Sequence, residues 1–191
     1  MKFLATLIAL TVSGASAFSA IAPGAKIPNL ELDVGFPPEK VNMKEYTAGK
    51  NVFVVGLPGA FTPTWSSRQV PGYLEAQDEL KSAGIDEIIV YCVNDAAVMG
   101  AWEKDQGTAD SIVKMLADPT GAFTKECGME LTDAGPIGKG LLGRSKRFAM
   151  HVVDGEVKAV AIAESEFDPA GDDFPEKTLA PALIEMAAAK V

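Results

Sequence analysis

The chain has 191 residues, with 17 Lys and Arg against 26 Asp and Glu, for a formal net charge of −9. That balance argues against nucleic acid or an anionic membrane surface as a partner, because their phosphates attract basic patches. With 48% hydrophobic residues and neither internal repeats nor low-complexity tracts, the length suits one domain with a single core.

The first segment, Met1–Ala17, has one lysine, an apolar run FLATLIALTV, and small residues ending Ala15-Ser16-Ala17. A charged start, a short apolar centre and an A-x-A end predict a secretory signal peptide cleaved before Phe18. The run is too short for a stable membrane anchor, so no membrane association is expected after its removal. The ASAF–SAIAP junction also resembles the cleavage motif of plastid precursors in algae with secondary, red-derived plastids. Residues 18–26 then read as a short leader or transit-like segment, and 27–191 as the domain. The destination is the secretory lumen, the exterior or a secondary plastid.

Within the domain, Ile27–Val34 alternates as a first strand and GFPPEK follows as a turn-rich connection. Val41–Tyr46 reads as a short helical turn. Val52 to Val55 is an unbroken run of β-branched and aromatic residues, which predicts a buried parallel strand ending at Gly56, Pro58 and Gly59. Pro63 then opens a long helix, Thr64–Ala83, stopped by Gly84. Such a strand, tight loop and helix start gathers unpaired N–H groups near Thr62–Ser66, a place suited to an anion or an ionised thiol.

Ile85–Val93 is a second buried strand, and Asn94-Asp95 cap a helix over Ala96–Gln106. Val113–Ala117 is a short strand, and Asp118-Pro119-Thr120-Gly121 opens a helix over Ala122–Cys127. Lys146–Ala163 alternates around Asp154-Gly155, a hairpin signal. An amphipathic helix, Lys177–Lys190, closes the chain. This order predicts an α/β fold, a mixed central sheet with helices on both faces.

The segment Pro58–Tyr73, PGAFTPTWSSRQVPGY, resembles the active-site segment of the type II, peroxiredoxin-five-like branch of the thioredoxin-fold peroxidases, whose pattern is PGAFTPTCSxxHxPGY. VNDAAVMGAW from Val93, LADPTGAFTKE from Leu116 and RSKRFAMHVVDGEVKAV from Arg144 are similar to the same family, so the likeness covers nearly all of Ala25–Lys190. The resemblance implies the thioredoxin-like fold in its peroxiredoxin elaboration, a homodimer, no cofactor, and recycling by glutaredoxin or thioredoxin where the protein is active. In the family a cysteine thiolate displaces the distal oxygen of a hydroperoxide, helped by a lowered thiol pKa and by groups that align the reacting atoms. By the same resemblance Pro58 shields the pocket, Thr62 hydrogen-bonds the peroxide oxygens and Arg147 steadies the charge.

This chain departs from the pattern where it matters most. Trp65 stands at the position of the attacking cysteine, and Gln69 at that of the histidine. The indole nitrogen is a donor with no basic lone pair, so Trp65 cannot attack oxygen in the same way. Losing the nucleophile of a cooperating site removes most of the rate, on the order of thousands-fold or more. The expectation is a pseudo-peroxidase, in which Trp65 either plugs the vacant pocket or anchors a contact surface.

Two cysteines remain, Cys92 and Cys127, without CxxC or metal-ligand spacing. Cys92 falls in an apolar strand, where burial makes a thiol inert, and Cys127 lies at a helix end beside Glu126, both of which disfavour thiolate. A disulfide between them is open on sequence grounds. Where some relatives carry a C-terminal resolving cysteine, this chain reads EKTLAP, with Lys177 near that place. The single His151, in a strand-like run, reads as a satisfied strand residue, and no metal site is expected. Two alternatives stand beside the silent reading. One is an active peroxidase using Cys92 or Cys127. The other is small-anion binding at Thr62 and Arg147, although the basic run Lys139, Arg144, Lys146 and Arg147 equally reads as a solvated face.

Overall fold

A computed structural model describes residues 19–62, 65–164 and 175–189, and leaves out the side chains of residues 65 and 66. The expected signal peptide and the helix-opening Pro63 lie outside the described residues.

Seven strands form one mixed sheet: β1 (Glu31–Val34), β2 (Glu39–Asn42), β3 (Asn51–Leu57), β4 (Glu87–Cys92), β5 (Val113–Ala117), β6 (Phe148–Val153) and β7 (Glu156–Ile162), in the spatial order β2-β1-β5-β4-β3-β6-β7. The apolar run at Val52–Val55 is the middle of β3, which pairs parallel with β4 and antiparallel with β6. Alternation along β3 divides the core. Phe53, Val55 and Leu57 join Val90, Cys92 and Met115 in one cluster, whereas Val52 and Val54 join Ile89, Tyr91 and Leu116 in the other. All five β3 side chains are fully buried, each worth about 1.5–3 kcal/mol relative to exposure. Helices α2 (Val70–Glu75), α3 (Gln77–Ser82), α4 (Ala96–Gln106) and α7 (Ala180–Ala188) supply the first cluster; α1 (Met43–Tyr46) and α5 (Ala122–Glu126) supply the second. Helices thus cover both faces, as the element order predicts. Among the described residues no helix is long and apolar enough to cross a membrane.

Several local expectations need correction. The first strand begins at Glu31, not Ile27, because the Ile27 N–H donates to Gly155 O (2.9 Å) instead of to a neighbouring strand of the hairpin. Val41 belongs to β2, paired with Leu32, and the helical turn starts only at Met43, where Asn42 Oδ1 accepts from Glu45 N (3.2 Å). The long helix expected over Thr64–Ala83 is broken into a π-helical turn (Trp65–Gln69), α2 and α3. Pro71 accounts for the first break, since it has no N–H to donate and its ring crowds the carbonyl four residues back, so the preceding turn widens. The closing helix begins as a 3₁₀ turn, Pro175–Thr178, before α7, whose start is set by Pro181. A short helix, α6 (Ala134–Gly138), was not expected, its sequence AGPIG being rich in helix breakers.

Other elements follow the sequence closely. Asp95 Oδ1 caps α4 by accepting from Val98 N (2.9 Å), and Gly107 ends it at φ +65°. Asp154 and Gly155 both adopt positive φ, 49° and 68°, as a type I′ hairpin requires. His151 lies in β6, its Nε2 2.7 Å from Asn51 Oδ1 and its ring stacked on Phe53. Asn51 Nδ2 donates to Gly84 O (3.0 Å), so Asn51 Oδ1 accepts from the imidazole. Burial, reinforced by the Lys158 charge, lowers the His151 pKa and keeps the ring neutral. It serves as a strand residue.

One glycine sets the end of β3. A Cβ at Gly56 would lie 2.2 Å from Phe148 Cε1 and 2.7 Å from Ser145 Oγ. Phe148 is fully buried and packs edge-on against Tyr91, so it cannot swing aside. Gly56→Ala is therefore expected to destabilise the protein by about 1–3 kcal/mol, read as a lower urea midpoint, with partial recovery in Gly56→Ala/Phe148→Leu. An unchanged midpoint in the single variant contradicts this packing.

Candidate functional site

The loop leaving β3 begins with Pro58 and Gly59, both buried, and runs through Phe61, a non-glycine residue at φ +59°. Thr62 Oγ1 donates to Gly59 O (2.9 Å), which closes the loop on itself. Asn94 ties this loop to a neighbouring segment. Asn94 Oδ1 accepts both from Ala60 N (3.1 Å) and from Arg144 Nη1 (2.9 Å). Gly59 leaves room for the guanidinium, since a Cβ there would lie 3.2 Å from Arg144 Nη1. Asn94 thus fastens the 58–62 loop to the 142–145 segment, a role that capping chemistry alone did not suggest; the cap of α4 belongs to Asp95.

Arg147 follows on that segment, immediately before Phe148, which pairs with Gly56. The antiparallel register carries Arg147 beside the end of β3. It is fully buried, and its carbonyl accepts from Ala163 N (2.9 Å). The solvated-face reading of the basic run is thereby overturned. Lys146 pairs with Glu164 at 2.8 Å, Arg144 is held by Asn94, and only Lys139 stays on an exposed face. The charges were separated by the fold because the run spans a loop and a strand start, not one helix face.

Gln69, at the histidine position of the resembled pattern, lies at the end of the π-helical turn and is fully buried. Its Nε2 donates to Tyr73 Oη (2.7 Å), Thr178 O (3.2 Å) and Thr178 Oγ1 (3.3 Å). Tyr73 Oη also donates to Thr178 O. Burial raises the Tyr73 pKa, opposed by the bond from Gln69 and by the nearby Arg147 charge. The amide pins residues 65–73 to the C-terminal 3₁₀ turn without titrating near neutral pH. Trp65 is the first residue of the π-helical turn; the two readings of its indole concern a side chain outside those described. The regular helix start expected there is absent, since the α-helix begins only at Val70.

The two thiols are remote from this loop in character. Cys92 ends β4 and belongs to the cluster under α2, α4 and α7, whereas Cys127 caps α5 and belongs to the opposite cluster. Both are free and fully buried. Lying on opposite faces of the sheet, they do not meet the short span that a disulfide requires. Burial drives the Cys92 thiol far above its ordinary pKa, with only the Arg144 charge opposing. It pushes Cys127 up to about 12, helped by Asp118 and then Glu126. Asp118 went unnoticed in the sequence because its role looked settled as a helix-opening residue; its Oδ2 accepts from Thr124 N (2.9 Å) and Oγ1 (2.8 Å).

Raised thiol pKa values mean that the folded chain keeps protons which the unfolded chain releases above the ordinary thiol value of 9.0. Stability from these groups is therefore complete below that pH and declines as pH rises past it. At pH 8 a thiol-reactive disulfide reagent is expected to label neither cysteine in the native chain and both in guanidinium. One equivalent of rapid labelling without denaturant contradicts the assignment.

The Redoxin family pattern matches residues 22–175. The chain is 40% identical over 151 residues to the chloroplastic Peroxiredoxin-2E of Arabidopsis thaliana, covering 76% of this chain and 63% of that protein. It is 45% identical over 127 residues to Peroxiredoxin-2B of the same plant, covering 66% of this chain and 75% of that one. The chain thus spans just under two thirds of the chloroplastic relative. Among solved structures, reduced Prx3 from Vibrio vulnificus in complex with hydrogen peroxide is similar at TM-score 0.76 and 35% identity, over 88% of this chain and 97% of that one. Peroxiredoxin 5 from Alvinella pompejana is similar at TM-score 0.74 and 26% identity, over 89% and 99%. The mixed sheet with helices on both faces is the thioredoxin-like fold as peroxiredoxins elaborate it, and the chain belongs to the Redoxin family, among the peroxiredoxins.

Proposed function

We propose that this chain keeps the peroxiredoxin scaffold without the thiol peroxidase reaction, and that it works by association, first with a second copy of itself. The observation that carries this reading is the placement of its sulfur. Trp65 occupies the position of the attacking cysteine by the match of Pro58–Tyr73 to the family pattern. Both cysteines are fully buried, on opposite faces of the sheet. A thiolate that attacks peroxide must be ionised and reached by the oxidant. Neither Cys92 nor Cys127 meets either condition. By the family likeness Pro58, Thr62 and Arg147 are then a cradle with no reagent, and glutaredoxin or thioredoxin has no oxidised sulfur to reduce.

The direct experiment is peroxide consumption with thioredoxin or glutaredoxin recycling, on the native chain and on Trp65→Cys. The native chain is expected at background, and the variant is expected to gain peroxide-dependent oxidation of the reductant. Turnover by the native chain overturns the silent reading. A variant as inert as its parent instead argues that the scaffold has drifted beyond restoring one atom, with Gln69 the next position to revert.

For association, Phe61 and Leu142 are 50% and 73% exposed on the two loops that Asn94 ties together. Phe61 moreover holds a positive φ, which costs energy for a bulky residue. Two exposed apolar side chains on joined loops suit a self-complementary contact, and the family resemblance implies a homodimer. Sedimentation is expected to give a dimer for the native chain and a shift towards monomer for Phe61→Glu. Equal sedimentation of both moves the contact elsewhere.

For location, Met1–Ala17 acts as a signal peptide, and the chloroplastic relatives support onward delivery to a plastid. A fluorescent fusion of residues 1–40 is expected in the secretory route or plastid; diffuse cytosolic signal contradicts both.

A further inference from the structure

Residues 18–26 read in the sequence as a leader that precedes the domain, and 19–26 of them are described. In the fold they are stitched to it. Ile21 N donates to Cys127 O (2.8 Å), Gly24 N to Val157 O (2.8 Å), and Val157 N to Ala25 O (2.9 Å). Lys26 forms an isolated β-bridge with Glu156 and a 3.0 Å ion pair with its carboxylate. Ile21 packs against the cluster that contains Cys127, Phe123 and Met129.

The path of this segment is built into the domain itself. Gly128, at φ +64°, lies under Ser19 so closely that a Cβ would come within 2.4 Å of Ser19 O and 2.6 Å of Ser19 C. Any residue with a side chain there collides with the segment's backbone. Glycine also suits the left-handed turn after α5, but the turn alone does not require such a close approach. Removing residues 19–26 would strip both backbone bonds from buried Val157, open the Ile21 site, and leave Cys127 O without its donor.

We propose that residues 19–26 are a permanent strap of the folded domain. Maturation, the hydrolysis of a peptide bond by a processing protease, then falls at or before the Phe18–Ser19 bond. The strap also keeps the Cys127 thiol from solvent. A second cut between residues 19 and 27, which a transit-like reading of this stretch would invite, is excluded by the contacts that it makes. The inference is independent of whether the chain reduces peroxide, since it concerns only the N-terminus and a buried sulfur.

Two measurements test it. The first is the N-terminal mass of the folded protein that accumulates when the whole precursor is expressed in plastid-bearing cells. A start at or before Ser19 is expected, and any later start overturns the proposal. The second is the labelling rate of Cys127 under native conditions in the full chain carrying Cys92→Ala, with and without Ile21→Asp. Loosening the strap is expected to speed labelling by about tenfold or more through easier local opening; an unchanged rate overturns the sealing role. Should Ile21→Asp not fold, Ile21→Ser is read in the same way, and its circular dichroism shows that the domain is intact.

Discussion

The close approach of Gly56 to Phe148 governs the geometry of this molecule. At that point β3, buried along nearly its whole length, makes its last pairing with β6, to that strand's first residue. The absence of a side chain at 56 lets the Phe148 ring lie against the strand. Phe148 in turn packs on Tyr91 of β4, so three strands are locked where the chain leaves the sheet for the 58–62 loop. Arg147 precedes Phe148, and its position is inherited from this contact. A cation fully removed from water is costly unless its surroundings are prearranged, and the register of β3 and β6 is what does the arranging.

From that fixed point two ties extend. Asn94 joins the loop after β3 to the segment before β6 through Ala60 and Arg144. Gln69 joins the helical segment to the C-terminal turn through Tyr73 and Thr178. Each is a neutral amide bonded to more than one group, part-buried at Asn94 and buried at Gln69, and neither changes charge with pH. The scaffold around position 65 is therefore held by groups that do not depend on a thiolate. The architecture there rests on apolar burial and amide bonds.

The sequence made the large elements legible because their signals are local. The β-branched run of β3, the Asp95 and Gly107 limits of α4, and the Asp154-Gly155 turn each state their own geometry. What escaped notice depends on tertiary contact. The π-helical turn before Pro71 comes from a clash one turn earlier. β2 exists because Val41 finds Leu32 across a hairpin, and Asn94 looked like a cap until the loop after β3 arrived beside it. Of the candidate site, Pro58, Thr62 and Trp65 were named through family likeness, and periodicity could not have found them. The burial of Arg147 contradicts what its basic neighbours suggested, because charge clustering along a chain says nothing about which residue a strand register turns inward. The surroundings that disfavour a thiolate at Cys92 and Cys127 were readable from an apolar strand and a helix end, although their separation to opposite faces of the sheet required the fold.

The proposed silence of this chain requires that neither of its thiols, Cys92 or Cys127, meets a peroxide. Mass spectrometry of the native protein, trapped with a sulfenic-acid reagent within seconds of adding one equivalent of hydrogen peroxide, tests it without any reductant or partner. The account predicts that Cys92 and Cys127 both remain unmodified thiols. Stoichiometric sulfenic acid on either one within that time would contradict it.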